Sequence, residues 1–426
     1  MRILYLHQHY STPAGATATR SHAMARALAA RGHRVTIACG AMAGAATGLD
    51  GAFRRGRRSG QVGGVEVVEF AIPYDNAMAH PARLAAFLRF AARATPLALS
   101  GGFDIAIASS TPLTVALPAL LARRARGLPF LFEIRDPWPE LPRAMGQGNP
   151  LLWAAMDRLA DAACRHAAAV VALSEGMAET AVAHGADPAR VQVVPNGCDL
   201  DLFGPQVAPW RPDGIGSGDV LAVYAGAHGP ANGLDLILDA AALLRARGER
   251  RVRLLLVGEG REKARLATRA AAEGLGNASF LDPLPKRQLA ALLAGAQVGV
   301  QCLAPVAAFA EWTAPNKLMD YMAAGLPVVA NMQGRAARLL AEGPCGIAVG
   351  PEDAQAMADA LAALATDPAR RASMGAAARA QAVRRWDRRL LAARFCAVVE
   401  GCVLAPVGGG GSAATRPSPP PRRSAA

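Results

Sequence analysis

The feature that most constrains this chain is an alternation of short apolar runs with longer helical segments, carried through twice. "MRILYLH" (1–7) leads into a Pro/Gly loop, "STPAGATATR" (11–20), then a helical pattern, "SHAMARALAARG" (21–32), that stops at Gly32, then the β-branched run "RVTIACG" (34–40). Strand, glycine loop, helix, strand is one βαβ unit. "VEVVEFAI" (65–72), "DIAIASS" (104–110), "PFLFEIRD" (129–136) and "AAVVALS" (168–174) continue the series, with helical stretches such as 81–99 and 113–126 between them. Runs that are apolar throughout belong to strands buried on both faces of a parallel sheet. "VQVVPNG" (191–197) closes the first half.

Residues 204–219, "GPQVAPWRPDGIGSGD", read as a linker, and the pattern then restarts: strands at "VLAVYAG" (220–226), "VRLLLVGEG" (252–260), "ASFLDPL" (278–284), "VGVQCL" (298–303), "PVVAN" (327–331) and "GIAV" (346–349), with helices at 232–247, 261–273 and 286–295. The expected architecture is α/β, with two Rossmann-like parallel-sheet domains. An N-terminal domain spans 1–203, a linker 204–219 and a C-terminal domain 220–383. A C-terminal helix over 384–404 is expected to pack back on the first domain, and 405–426 reads as a disordered tail by composition.

Hydrophobic residues make up 52% of the 426, enough for a large core in each half. Seven cysteines, none in a C-x-x-C pair or with zinc-type histidine spacing, imply reduced thiols in a reducing compartment. The first residues lack a secretory pattern, and no window of about 18 residues is free of charge and proline, so neither export nor a spanning helix is expected. The net charge is +13. Its sharpest concentration, "RRGRR" (54–58), suits an anionic membrane surface at roughly 1 kcal/mol per arginine, or equally a solvated loop. No aromatic interleaving or motif points to nucleic acid. The expected location is cytoplasmic, with peripheral contact at the inner face of the membrane.

In open parallel sheets, ligands bind beyond the carboxyl ends of the strands, and two such domains facing each other enclose a cleft. After the first strand comes Gly15, with Arg20 five residues on, a glycine loop opening a helix that offers N–H groups to an anion. After 129–136 comes "EIRDPWPE", crowding Arg135, Asp136 and Glu140 at a strand end, as a placed site or as a structural ion pair. "AGAHGPANG" (225–233) is glycine-rich and contains Gly226 and His228, a phosphate donor or an incidental loop residue. "APNKLMDYMAAGLPVVA" (314–330) puts Asn316 and Lys317 where the first N–H groups of a helix are unpaired, with Asp320 one turn deeper. Lys317 and the helix end suit a pyrophosphate, and Asp320 suits paired sugar hydroxyls. Without further context the same residues read as a helix cap with a Lys–Asp pair. "DLD" (199–201) follows "PNG" toward the linker with no third acid near, and reads as a turn.

Together "PNKLMDYMAAGLPVV", "VVPNGCDLDLF" and "YAGAHGPANGLDLILDA" resemble the retaining glycosyltransferases of family 4, which have the GT-B fold. "GATATRSHAMARALAARGHRV", "EIRDPWPE" and "LSEGMAE" are similar to the subgroup that builds bacterial O-antigen, colanic acid and other surface polysaccharides, fucosamine transferases included. The resemblance runs from residue 1 to about 400. It implies a nucleotide-sugar donor, usually UDP-linked, on the C-terminal domain and an acceptor on the N-terminal domain, here a glycan or polyprenyl-diphosphate-linked oligosaccharide. It implies retention of configuration with no metal and no cofactor. Donor-binding roles would fall on Gly15, Arg20, Gly226, His228, Asn316, Lys317 and Asp320, with Asp320 as the second acid of the family's Glu-x7-Glu motif, holding the ribose. The first acid falls on Trp312, with Glu311 beside it as candidate substitute, and Asp136 and Arg135 complete the catalytic set. The family's Gly-Gly is Gly15–Ala16 here, and Asn232 stands where a phosphate-binding lysine is usual. A GT-B sugar-nucleotide epimerase and a non-catalytic two-lobed binding protein share the twin-domain pattern and are the alternatives.

Overall fold

Each apolar run forms a strand whose alternate side chains enter two different apolar layers. The computed structural model of the protein describes residues 1–404 other than 16, 18, 76, 147, 308 and 313–315, with Glu311, Ala336 and Leu404 described by backbone alone. The tail expected from 405 lies outside the described residues. The first domain carries β1 (Arg2–Leu6), β2 (Arg34–Met42), β3 (Arg57–Val62), β4 (Val65–Tyr74), β5 (Ile105–Ser109), β6 (Phe130–Ile134), β7 (Ala169–Ala172) and β8 (Val191–Val193). They form one sheet in the order β3-β4-β2-β1-β5-β6-β7-β8, parallel throughout except for the β3–β4 hairpin. Along β1, Leu4 and Leu6 join Phe87, Phe90 and Phe132 on one face, while Ile3 and Tyr5 join Ile37, Leu131 and Phe395 on the other.

β3 corrects the expectation of a plain basic loop at 54–58. Arg57 and Arg58 begin a strand, turned into β4 by Gly63 and Gly64 at φ 59° and 85°, a backbone region that favours glycine in two-residue hairpins. Arg58 donates to Glu69 Oε2 at 2.8 Å, whereas Arg54, Arg55 and Arg57 remain exposed.

The second domain carries β9 (Val220–Ala225), β10 (Val252–Val257), β11 (Ala278–Leu281), β12 (Val298–Gln301), β13 (Val328–Ala330) and β14 (Gly346–Ala348), in the order β11-β10-β9-β12-β13-β14. Every pairing is parallel. The segment read as a linker is packed on the second domain: Trp210 N donates to Ala291 O at 2.9 Å, and Arg211 reaches Gly295 O and Gln297 Oε1.

The chain crosses between domains twice, and the two crossings are bonded together. Cys198 N donates to Trp386 O at 2.8 Å and Arg388 N donates to Cys198 O at 3.1 Å. Arg388 Nε meets Asp199 Oδ1 at 2.5 Å. A Cβ on Gly197 would lie 2.9 Å from Arg388 Cα, so only glycine fits between the crossings. Beyond them the helix Arg388–Leu404 packs on the helix Arg20–Ala30 and on β6 and β7, placing Leu391, Phe395, Cys396 and Val399 in the first domain's core. Phe395 is fully buried and stacks on Tyr5 at 6.2 Å. Glu400 receives Arg31 through two bonds of 2.7 Å. Phe395→Ala should therefore destabilise the first domain by about 3–5 kcal/mol in denaturant unfolding; a loss under about 1 kcal/mol would show that the returning helix is not part of that core.

Candidate functional site

The helices that follow β7 and β13, Glu175–Ala183 and Gly334–Glu342, begin at the carboxyl ends of their strands and face each other across the gap between domains. Arg335 spans it, bonding Glu175 and, at 2.7 Å, Glu179 Oε1. The carboxyl ends of both sheets therefore line one cleft.

On the second-domain side, the loop after β9 is laid directly on the loop after β10. A Cβ on Gly258 would sit 1.9 Å from Gly226 O, and one on Gly260 would strike the His228 backbone. His228 N donates to Glu259 O at 2.8 Å. This packing drives the His228 ring inward, between Tyr224 (centroids 6.0 Å) and Phe280 (6.2 Å), where neither ring nitrogen has a hydrogen-bond partner among the described residues. Burial, and then the Lys263 ammonium, lowers its pKa to about 4. The imidazole is neutral at physiological pH and carries one ring N–H.

Lys317 is the second residue of the helix Asn316–Ala323. Its ammonium donates to Tyr224 Oη and Asn232 Oδ1, each at 3.1 Å, and lies 4.6 Å from the centre of the Tyr224 ring. No described carboxylate pairs with it. Burial pulls its pKa from 10.5 to about 8, because a low-dielectric site disfavours the charged form. Gly226 lies against the lysine stem, where a Cβ would come within 2.2 Å of Cε. The helix itself is bolted to the end of β9 by the bond from Ala225 N to Tyr321 Oη, 2.8 Å. Asn316 precedes the lysine at the helix start and is partly exposed.

Asp320, expected to hold sugar hydroxyls, is 5% exposed and its Oδ2 accepts from Lys286 Nζ at 2.5 Å. Lys286 lies over the Phe203 ring at 5.3 Å. A ribose at this carboxylate would share it with Lys286, a residue the sequence reading passed over. Glu311 belongs to the short helix Phe309–Trp312, but its side chain lies outside the described residues. Just before it, Leu303–Ala307, Phe309 and Ala310, together with Asn331–Gln333 and Gly350–Asp353, line a cavity of about 580 Å³ beyond β12, β13 and β14.

On the first-domain side, Arg20 corrects the expectation of a phosphate ligand. It is 1% exposed. Nε meets Glu133 Oε1 at 2.8 Å, and the two terminal nitrogens donate to Pro195 O and Val194 O. Glu133 is itself fully buried and also accepts from Tyr5 Oη and Ser109 Oγ. Arg20 therefore ties the sheet to the first crossing and is buried away from solvent. Gly15 is buried against the 44–46 segment, where a Cβ would lie 2.4 Å from Ser11 Oγ and 2.7 Å from Ala46 N. Close loop packing explains this glycine without a ligand.

Arg135 and Asp136 do stand together at the end of β6. Arg135 Nη1 lies 2.5 Å from His7 Nε2, and His7 Nδ1 lies 2.8 Å from Ser21 Oγ. An arginine is always a donor, so His7 Nε2 accepts and Nδ1–H donates to the serine. Burial and the Arg135 charge hold His7 well below its ordinary pKa. Asp136 Oδ2 accepts from Thr111 Oγ1 at 2.5 Å. His7 and His9 were the residues the sequence reading missed here, although "LHQH" directly follows an apolar strand, the position where ligands meet a parallel sheet.

Residues 15–197 match the family described as a glycosyl transferase 4-like domain, and residues 219–367 match the glycosyl transferases group 1. The chain is 30% identical over 323 residues to a D-inositol 3-phosphate glycosyltransferase of Kribbella flavida, covering 70% of this chain and 71% of that protein. It is 33% identical over 275 residues to the protein of the same name from Geodermatophilus obscurus, covering 61% and 56%. Among solved structures, sucrose-phosphate synthase from Thermosynechococcus elongatus shares the fold at TM-score 0.73 and 17% identity, over 94% of this chain and 98% of that one. Anabaena HepE in complex with UDP-glucose does so at 0.66 and 19%, over 94% and 100%. WaaG, a glycosyltransferase involved in lipopolysaccharide biosynthesis, does so at 0.64 and 17%, over 94% and 100%. The fold is GT-B.

The desolvated lysine has a consequence for stability. Its folded pKa lies below that of the unfolded chain, so the unfolded state binds more protons between about pH 8 and 10.5 and stability rises with pH in that window. Lys317→Met should be more stable than the wild type at pH 7, by about 1–3 kcal/mol, with the gap closing as pH rises through that window. Chemical denaturation at pH 7 and pH 10 measures both values, and a Lys317→Met protein less stable at pH 7 would contradict the assignment.

Proposed function

Because this chain belongs to the group 1 glycosyltransferases, with a glycosyl transferase 4-like first domain, we propose that it moves a sugar, with retention of configuration, from a UDP-linked donor to a hydroxyl of a glycan or polyprenyl-diphosphate-linked acceptor in surface polysaccharide synthesis. The observation that carries the donor side is Lys317, a cation with no carboxylate partner among the described residues, at the first turn of a helix. Free N–H groups, a positive helix end and a full charge together suit a diphosphate. HepE has been crystallised with UDP-glucose, and WaaG is described as acting in lipopolysaccharide biosynthesis; both support the choice of donor and setting.

In the proposed reaction the bond between the anomeric carbon and the donor phosphate oxygen breaks while the acceptor oxygen bonds to that carbon on the same face. The acceptor's proton passes to a donor phosphate oxygen, and UDP leaves. Charge grows on the diphosphate as that bond breaks. Lys317, the Asn316 end of the helix and His228 would stabilise it, preorganised and partly shielded from water. Lys317 would also gain, since an anion offsets the burial that depresses its pKa. Neither a divalent metal nor a cofactor enters this scheme. Asp320, shared with Lys286, would hold the ribose. The cavity beyond β12–β14 would admit the sugar, with Glu311 at its edge. Arg135 and Asp136 would orient the acceptor from the opposite domain, and closure across the Arg335 bridge would exclude water. The three exposed arginines 54, 55 and 57 would meet an anionic membrane surface at the inner, cytoplasmic face.

Lys317→Ala should lower kcat at least tenfold, about 1.4 kcal/mol in the barrier, while the protein stays folded; unchanged kinetics would remove the phosphate assignment. Incubation with a panel of UDP-sugars separates the readings. UDP release that depends on added acceptor supports transfer. A converted sugar without acceptor indicates an epimerase, and binding without chemistry indicates a two-lobed receptor.

A further inference from the structure

The stretch "EIRDPWPE" ends in a glutamate that the scheme above leaves unused. Glu140 opens the short helix Glu140–Ala144, directly after the turn that carries Arg135 and Asp136. That helix is wound onto the turn, with Leu141 N donating to Pro137 O at 2.8 Å and Arg143 N to Pro139 O at 3.1 Å. Glu140 Oε1 meets His184 Nε2 at 2.7 Å, and the other ring nitrogen, Nδ1, meets Asp161 Oδ1 at 2.7 Å. His184 caps the helix Glu175–Ala183, whose other end stands at the cleft with Glu175 and Glu179 against Arg335. Asp161 lies on the helix Pro150–His166. One imidazole thus joins three helices at the foot of the 136–140 turn.

A neutral imidazole donates from one nitrogen only. A carboxylate oxygen at hydrogen-bond distance from each nitrogen requires both to donate, so the ring is an imidazolium. Glu140 Oε2 is buried and has no hydrogen-bond partner among the described residues, so this carboxylate leans on the one ring N–H. Packing alone does not fix the turn. Trp138 rests on Phe87 at 6.0 Å, but a small cavity lies beside it, walled by Asp136, Pro137, Trp138, Ala160, Cys164 and His184. Polar anchors at the two ends decide where the turn sits: Thr111 on Asp136 at 2.5 Å, and His184 on Glu140. The exposed Arg143–Asp157 pair adds little. The charged groups facing the ring are Glu140 and Asp161. Arg165 pairs with Asp161 at 2.6 Å, the Cys164 thiol is pushed up to about 12 by burial, Asp187 pairs with Arg190, and β7 and β8 carry no titratable residue.

We propose that His184 is a positioning residue for transfer: clamped between Glu140 and Asp161, it fixes the 136–140 turn and so sets Arg135 and Asp136 where the acceptor hydroxyl is received. This rests on the transferase reading and deepens it. The Glu140 hydrogen bond, opposed by burial and joined by Asp161, raises the His184 pKa from 6.5 to about 9. The clamp is therefore closed at neutral pH. Its contribution is complete below about pH 6.5 and is lost as pH rises through about 9.

The first measurement needs no substrate. Amide hydrogen exchange over 136–144 in the full chain is followed from pH 7 to pH 10, scaled to the β6 amides of the same sample. Wild-type protection should fall about tenfold as pH passes through the titration of His184. In His184→Gln it should already be low at pH 7 and show no further step. His184→Lys, which keeps a cation between the two carboxylates, should restore part of it. The second measurement is kinetic, with UDP-glucose as donor and a short-chain prenyl-diphosphate-linked sugar as acceptor. At pH 7, His184→Gln should raise the acceptor KM about tenfold and leave the Kd for UDP unchanged. It should also remove the alkaline rise in acceptor KM; the Kd for UDP at each pH carries the separate effect of Lys317. A merely structural role would lower stability or kcat and leave the acceptor KM and its pH step in place. Exchange or acceptor KM equal in His184→Gln and wild type overturns the proposal. If His184→Gln does not fold, the wild-type exchange profile decides, and a profile without the alkaline step overturns it. Failure of the wild type to bind UDP, or to release it from UDP-glucose with acceptor present, counts instead against the transferase reading, and the exchange result still upholds or overturns the clamp.

Discussion

A lysine ammonium drawn partly out of water, with no carboxylate beside it among the described residues, is the constraint around which the second domain is arranged. Removing a charge from water is costly unless it is paired. Tyr224, Asn232 and the Tyr224 ring face offset part of that cost with two neutral hydrogen bonds and a cation–π contact. The rest is left unsatisfied. Gly226 makes room for the lysine stem, and Gly258 lets the neighbouring loop close beneath Gly226. A site that is uncomfortable when empty would bind an anion strongly under the proposed function, since the anion would remove a penalty already incurred in folding.

The first domain and the crossings supply the other requirement, that two separately folded halves meet in register. Arg20 and Glu133 are both buried in the first domain, and the arginine's remaining donors grip the carbonyls of Val194 and Pro195 where the chain leaves it. The second crossing is bonded to the first at Cys198 and Arg388. The two crossings are thus joined to each other by one isolated bridge, Cys198 to Asp387, and anchored in the first domain's core. At the cleft, the helix Phe309–Trp312 and Arg335 both meet the helix Glu175–Ala183 of the first domain, so any movement between domains would break and reform these contacts.

How much of this was legible in the sequence follows from distance along the chain. The parallel strands were readable because both faces are buried, and a strand buried on both faces has no polar alternation to hide it. β3 was not, because its "RRSGQV" is an edge strand with polar residues on its exposed side, and only the Gly63–Gly64 turn betrays it. Lys317 and its helix start were readable within one motif. The partner of Asp320 was not, since Lys286 lies 34 residues away. Arg20 was misassigned for the same reason. An arginine after a glycine loop looks like an anion ligand until Glu133, 113 residues on, is folded against it.

The account depends most on where the diphosphate sits. A crystal structure with UDP bound tests this directly. The account predicts phosphate oxygens about 3 Å from Lys317 Nζ and from the first N–H groups of the helix Asn316–Ala323, with the ribose against Asp320. A diphosphate found elsewhere, with the Lys317 ammonium still bonded only to Tyr224 and Asn232, would contradict it.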